Sequence, residues 1–395
     1  MSKTKHTPYQ QQLVKFISES LVFTLEFAVR YRPLRSTGAG RPSDRQNSVI
    51  AELPLGCTNT FHFHRQCRGT YFYFITNFVP ITGLLLLMRF FLLLTGCLSL
   101  LILTSLVPST APKPRVCLTF DDGSIDDMPG YPHTKWNQLL LDNLQRADKQ
   151  AIFFVAGKRI DNPAGRQLLR AWDQAGHLLA NHSYSHHNYQ SDVVSYEQFA
   201  ADFLRNHALL QGYAHFMSMF RFPYLKEGNT LAKRDRFRAL LASRGYRHGF
   251  VTIDTSDWYI NERLAKRLTQ NPEADVAAYQ AFYLQHILDR ATYYNSLAQE
   301  LTGRQIAHTL LLHHNLASAL FVDNLIRHFE ANGWEVVNAS AAYQDPIYKR
   351  VPKTLPAGES LIWSLAKESG RYADRLRYPA EDNSYEEAQM NRLSL

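Results

Sequence analysis

Thr119-Phe120-Asp121-Asp122-Gly123 follows the apolar run Val116-Cys117-Leu118, so a short β-rich segment ends in two adjacent carboxylates and a glycine. Two neighbouring acids at the end of a buried strand repel each other and lose hydration, so the arrangement needs a compensating partner. Successive strand side chains point to opposite faces. Both Asp groups therefore reach one site only where the strand ends and the chain turns, as Gly123 permits. A metal ion offsets the repulsion if one Asp binds it and the other acts as base. Asp-Asp-Gly is also ordinary turn chemistry, and the motif acquires meaning only from what surrounds it.

Working outward, the chain alternates between strand and helix patterns. Strands are expected at Val116–Phe120, Ala151–Val155, Leu178–Asn181, Phe220–Phe222, Phe250–Ile253, Thr309–Leu312 and Trp334–Val337. Helices are expected at Lys135–Ala147, Ala164–Ala175, Tyr196–Gln211, Leu231–Arg244, across 261–302 with a break near Asn271-Pro272, and at Ala319–Ala331. This cadence predicts an α/β fold with a parallel sheet, open or closed into a barrel. No internal repeat and no dinucleotide or P-loop glycine pattern occurs. Chemistry-bearing residues recur at strand ends, the face where α/β folds place their sites.

Asn181-His182-Ser183-Tyr184-Ser185-His186-His187 puts His182 and His186 at i and i+4, which places both rings on one face of a helical turn, a common zinc spacing. With 16 histidines in the chain, a polar loop with chance histidines is the plainer reading of that stretch alone. Together with an Asp pair at another strand end, a His-His-Asp site with open positions is the economical explanation. Arg221-Phe222-Pro223-Tyr224 brings a cation that would hold a nearby carboxylate ionised and oriented. Asp254-Thr255-Ser256-Asp257-Trp258 and Leu310-Leu311-Leu312-His313-His314-Asn315 each have a bland reading, as turn or core. A buried Asp–His pair at two strand ends is also how a general acid is tuned. His187, Asp126 and His133 read as spectators.

Composition narrows the partners. The chain of 395 residues is 45% hydrophobic and 20% charged, which describes a folded protein. The formal net charge of +8 is concentrated in residues 1–87, which hold 10 of the 43 Lys and Arg and 4 of the 35 Asp and Glu. The other residues carry 33 against 31, so the main domain is near neutral and nucleic acid is not expected as a partner. Cys57, Cys67, Cys97 and Cys117 form no metal-type spacing, and Cys117 reads as a small buried hydrophobe. The alternating Phe61-His62-Phe63-His64 is read as incidental.

The compartment is read from 90–107, an 18-residue uncharged apolar run after Met88-Arg89. Pro108-Ser109-Thr110-Ala111 follows, with small residues at −3 and −1 for cleavage after Ala111. This has the form of a secretory signal starting at Met88, which makes 1–87 an upstream or dispensable extension. A retained membrane anchor through 90–107 and a lipoprotein box at Leu94-Thr95-Gly96-Cys97 are the alternatives. The expected organisation is a 1–87 extension, an 88–111 signal or anchor, a 112–345 catalytic domain and a 346–395 C-terminal extension with helical pieces such as Ser360–Glu368. The expected location is exported, periplasmic or secreted.

In this order the five pieces resemble the polysaccharide deacetylases of the NodB-homology type, also grouped as carbohydrate esterase family 4, over about residues 115–345. Ala151-Ile152-Phe153-Phe154-Val155-Ala156-Gly157 also matches that family's second strand. The resemblance implies a distorted (β/α) barrel. It also implies that Asp122, His182 and His186 would bind a divalent metal, commonly Zn2+. Asp121 would be the general base acting on metal-bound water, with Arg221 orienting it. His313 would be the general acid, held charged by Asp257 and walled by Trp258. Pro223 and Tyr224 would lie on the substrate side, the Tyr224 backbone N–H sharing stabilisation of the oxyanion. Two departures stand out. Leu225 occupies a position that is often glycine, and His314 one that is usually aspartate. The implied reaction is hydrolysis of sugar N-acetyl groups on an acetylated glycan. The rivals are an O-acetyl esterase acting on xylan or another acetylated glycan, a non-catalytic glycan-binding module, and hydrolysis of small cyclic amides.

Overall fold

The computed structural model describes residues 112–377 and 383–395. The expected signal or anchor, the 1–87 extension with Phe61–His64, and Cys57, Cys67 and Cys97 all lie outside the described residues. Among the described residues no helix is long and apolar enough to cross a membrane.

Strand β1 (Arg115–Asp122) is buried from Val116 through Asp121, the continuous burial of a strand covered on both faces. Its parallel neighbours are β2 (Ile152–Val155) on one side and β7 (Ala307–His313) on the other. The sheet continues outward from β2 through β3 (Leu178–Asn181), β4 (Phe216–Phe220) and β6 (Arg247–His248). The short β8 (Glu335–Val336) pairs with the start of β1. Beyond β6 the chain crosses from one edge of the sheet to the other. The Gly249 N–H donates to Phe220 O at 2.7 Å, while the Thr252 and Ile253 N–H groups donate to Thr309 O on β7 at 3.1 and 3.0 Å. One segment thus bonds to β4 beside one edge of the sheet and to β7 at the other, and the sheet curls into the expected distorted (β/α) barrel.

The helices begin where their sequences supply caps. In α1 (His133–Arg146), Trp136, Leu140 and Leu144 face the sheet. Asn162 caps α2 (Pro163–Gln174), Ser195 and Gln198 form a capping box on α3 (Tyr196–Leu210), and Thr230 caps α4 (Leu231–Ser243). The stretch expected to be helical from 261 to 302 is two helices, α5 (Asp257–Gln270) and α6 (Ala277–Thr302), separated at Asn271-Pro272 where proline removes a donor. Asn315 caps α7 (Leu316–Ala331). Two expectations shift. The strand placed at Phe220–Phe222 lies at Phe216–Phe220, because Pro223 cannot donate to a ladder and Phe222 leads into the turn Pro223–Leu225. The strand placed at Phe250–Ile253 is a single bridge, Ile253 to Leu310, because this segment is shared between two edges.

The main core unites Trp136, Phe153, Trp172, Leu310 and Phe321 with residues of the C-terminal stretch, Leu361 and Ile362 in α8 (Leu361–Ser369) and Met390 in α9 (Ser384–Arg392). Trp172 packs against Phe153 at 4.8 Å and Phe120 at 5.7 Å between ring centres. Replacing a buried tryptophan of this kind with alanine costs about 3–5 kcal/mol. Cys117 is fully buried, and burial pushes its thiol up to about 12, so it behaves as a hydrophobe.

Candidate active site

The register of the sheet brings the candidate residues together. Asp121 on β1 lies level with Phe154 on β2 and His313 on β7, while Asp122 is level with Val155, which in turn is level with Asn181. Asp122 has φ 76° and Gly123 φ 113°, so the strand breaks at the acid pair and both carboxylates reach one side. A Cβ on Gly123 would sit 3.1 Å from the Phe153 ring in a backbone pose that side chains rarely adopt, so glycine is required there.

His182 and His186 converge, but not on a helical face. Residues 182–187 are irregular, and Ser183 and His186 take φ 64° and 57°. The loop is built by side chains. Asn181 Oδ1 accepts from the Ser183 N–H at 2.9 Å, Ser183 Oγ from the His186 N–H at 3.1 Å, and Asp202 Oδ2 from the Tyr184 and Ser185 N–H groups at 2.9 and 2.8 Å. Asn206 holds the Asn181 amide from behind at 2.8 Å. Asp202, on α3, carried no sequence signal, because nothing in a helical stretch announces a contact made 18 residues back.

One ligand atom each from Asp122, His182 and His186 lie within 4.8 Å of one another. His182 Nε2 is 3.5 Å from an oxygen of Asp121 and 3.5 Å from Asp122 Oδ1, and His186 Nε2 is 3.0 Å from Asp122 Oδ1. Asp122 Oδ1 is nonetheless buried without a hydrogen bond of acceptable geometry. The Arg221 carbonyl, which can only accept, lies 2.8 Å from His182 Nδ1. The Nδ1 therefore carries the proton and the Nε2 lone pair faces the acids, the usual posture of a metal-binding imidazole. Burial holds His182 well below the ordinary histidine range. Burial would raise Asp122, but the neighbouring His186 and His313 outweigh it and hold the carboxyl well below its usual range. Two imidazole nitrogens and a carboxylate with an orphaned oxygen fit a divalent metal of the zinc type.

Asp121 is fixed by Arg221, which is buried. Arg221 Nη1 donates to Asp121 Oδ1 and to Thr119 Oγ1, the latter at 2.9 Å. Its Nε donates to Gly249 O at 2.9 Å and its Nη2 to the Tyr343 hydroxyl at 3.1 Å. The guanidinium lies over the Phe154 ring at 3.8 Å. Tyr343 was not anticipated from sequence. It stands 122 positions beyond Arg221, and its hydroxyl donates onward to Phe250 O at 3.1 Å. Burial pushes Asp121 up to about 6 against the pull of Arg221 and His313. Arg221 thus both orients the carboxylate and is the chief influence opposing its burial.

His313 Nδ1 lies 2.7 Å from Asp257 Oδ1, and the His313 N–H donates to Asp257 Oδ2 at 2.8 Å. Burial alone would depress the imidazole, but the fully buried Asp257 carboxylate raises it to about 10. His314, the neighbouring alternative, faces the other way. It stacks on Phe153 at 5.0 Å, lies 2.9 Å from Asn137, and burial holds it down at about 3. His313, not His314, faces the site.

A cleft with about 900 Å³ of space open to solvent is lined by Asp121, Asp122, His182, His186, Tyr224 and His313, and also by Leu225, Asp254, Arg159 and the half-buried Trp258. The Tyr224 ring leans on His186 at 4.6 Å, and Pro223 is buried in the turn beside it. The spectators fall outside this group. Asp126 bonds Ser124, His133 pairs with Asp127, and His187 is exposed.

Residues 109–248 match the family model described as polysaccharide deacetylase. No curated protein matches the chain. Among solved structures, the chain is similar to a peptidoglycan deacetylase from Bacillus subtilis, at 20% identity over 59% of this chain and 91% of that chain, with a TM-score of 0.39. It is also similar to a chitin deacetylase from the fungal pathogen Colletotrichum lindemuthianum, at 18% identity over 59% and 88%, with a TM-score of 0.41. A third is a pseudoenzyme of carbohydrate esterase family 4 from Bacillus anthracis, at 16% identity over 58% and 65%, with a TM-score of 0.40. Over the stretch that carries Asp121, Asp122, His182, His186 and Arg221, the family this chain resembles is the polysaccharide deacetylases.

Proposed function

We propose that the chain is a metal-dependent hydrolase that removes N-acetyl groups from an extracytoplasmic polysaccharide or oligosaccharide and releases acetate. One observation carries this reading: Asp121 clamped by Arg221 and His313 clamped by Asp257 stand level on adjacent strands, beside the Asp122–His182–His186 cluster. A divalent metal, Zn2+ by preference, held by Asp122, His182 and His186 supplies Lewis-acid polarisation of the acyl group and a readily ionised water.

The chain's own residues do the rest. Asp121, ionised above about pH 6, accepts the proton of the attacking water, and Arg221 fixes which oxygen faces it. His313 carries a proton at neutral pH. With Nδ1 held by Asp257, Nε2 is the atom that delivers it to the departing sugar nitrogen. The Tyr224 backbone N–H serves the carbonyl oxygen as charge builds on it, a contact of a kind worth about 3–4 kcal/mol. Trp258 and the exposed face of Tyr224 give a sugar ring apolar surface to lie on. A pure glycan-binding module has no need of a buried carboxylate aligned with a protonated imidazole. The export signal read at 88–111 supports an extracytoplasmic substrate.

The test pairs acetate release with metal analysis on acetylated amino-sugar oligomers. Asp121→Asn is expected to keep its metal and lose turnover, and His182→Ala to lose the metal. Full activity in Asp121→Asn ends the mechanism. Acetate from acetylated xylan alone assigns an esterase, and binding without release assigns a non-catalytic module. Intact mass of the exported protein tests cleavage after Ala111.

A further inference from the structure

Tyr224 and Leu225 both have φ 57°, two successive non-glycine residues in the left-handed region, where side chains crowd the backbone. Such a turn persists only where its surroundings over-determine it. Leu225 packs on Val251 and Leu311, and its N–H donates to Phe222 O at 2.9 Å. Its carbonyl is held by a segment more than 130 residues further on: the Glu359 N–H donates to Leu225 O at 2.8 Å.

That contact belongs to a continuous strap. β5 (Lys226–Gly228) and β9 (Ala357–Gly358) form an antiparallel ribbon, Lys226 pairs with Glu359, and the Leu361 N–H donates to Val251 O at 2.7 Å. Gln190, next to the histidine loop, donates to Ala357 O at 2.7 Å. Ser360 caps α8, whose Leu361, Ile362 and Leu365 sit in the main core. The fit against Leu225 leaves no spare room: a Cβ on Gly358, at φ 127°, would lie 2.0 Å from Leu225 O.

We propose that Ala357–Leu361 is a positioning clamp for the carbonyl side of the cleft, with Gly358 and Glu359 setting the pose of Tyr224 through the Leu225 carbonyl. This rests on the reading that the Tyr224 backbone serves the substrate acyl oxygen. A strap that only stabilised the fold would alter melting and leave per-site turnover alone. A clamp alters turnover at constant metal content.

The test uses the full metal-loaded chain with Gly358→Ala, which pushes on Leu225 O, and Glu359→Gln, which removes only the ion pair to Lys226. Amide exchange in peptides spanning 222–228 is expected to quicken about tenfold in Gly358→Ala and severalfold in Glu359→Gln, with α2 unchanged. The kcat of Gly358→Ala on an acetylated amino-sugar oligomer is expected to fall about tenfold or more with KM within about twofold, as misplaced catalytic geometry does. Adding Leu225→Gly, which accepts the displaced turn without strain, is expected to restore part of that loss. Unchanged exchange at 222–228, or faster exchange with unchanged kcat in an active enzyme, overturns the clamp. Should Gly358→Ala not fold, the exchange and kcat of Glu359→Gln decide alone. A wild-type chain that releases no acetate from any acetylated glycan refutes the functional reading, and the exchange arm still decides whether the strap holds the turn.

Discussion

Replacing Asp257 with asparagine removes one charge and leaves the shape nearly intact, so its effect can be worked from the structure. In the wild type the buried Asp257 carboxylate holds His313 at about 10, so at pH 8 about 99% of the imidazole is protonated. Without the carboxylate only the other buried acids offset desolvation, so the group returns to or below its ordinary 6.5. At pH 8 about 3% then keeps its proton, a loss of about thirtyfold in the competent form. The amide adds a second defect. Asp257 Oδ2 accepts from both the His313 N–H at 2.8 Å and Asn315 Nδ2 at 3.3 Å, so an NH2 in that place faces two donors. The assay is kcat against pH by acetate release from an acetylated amino-sugar oligomer. A bound divalent cation lowers both limbs of the wild-type profile, so the comparison is between the two proteins. The basic limb of Asp257→Asn is expected to lie about three units lower, with bound metal unchanged. An unmoved basic limb refutes His313 as the proton donor.

The acidic limb tests the base: kcat is expected to rise with pH as Asp121 loses its proton, levelling at or below about pH 6, because burial has raised that carboxyl and only the ionised form accepts a proton. A flat profile from pH 4 to 7 argues against it. Asp202→Ala leaves the Tyr184 and Ser185 N–H groups without their acceptor and is expected to weaken metal affinity about 10–100-fold, measured by competition with a chelator. Tyr343→Phe removes the hydroxyl that braces Arg221. It is expected to lower stability by about 1 kcal/mol in urea unfolding and kcat by severalfold, and an unchanged kcat would confine Tyr343 to the fold.

Local chemistry was legible and long-range geometry was not. The burial of β1, the acid pair at its end, the Leu178–Asn181 strand and the caps at Asn162, Ser195 and Thr230 all follow from residues within a few positions of one another. Five motifs at strand ends foretold a convergent site, and a parallel sheet delivers that convergence by register. The i, i+4 spacing of the histidines misled about mechanism. The rings meet because Asn181, Ser183 and Asp202 pull the loop into left-handed turns, and no periodicity encodes that. Asp202, Tyr343 and the Gly358 strap were invisible because each acts across the fold, where one chain without its three-dimensional partners carries no signal. His314 shows the reverse case. Two adjacent histidines differ only in which face of the sheet they meet, and that is settled by Asn137 and the tryptophans around it.

The crossing at Gly249–Ile253 also divides the chemistry along the chain. Asp122, His182 and His186 lie before it, with Asp121 and Arg221, and the Asp257–His313 pair lies after it. The candidate base and metal ligands are therefore inherited on one stretch of the polypeptide and the candidate acid on another, joined where the Thr252 and Ile253 amides meet Thr309. On the proposed reading, damage on the early side removes the metal ligands and the base together. Damage on the late side is expected to spare the metal ligands and remove the proton donor.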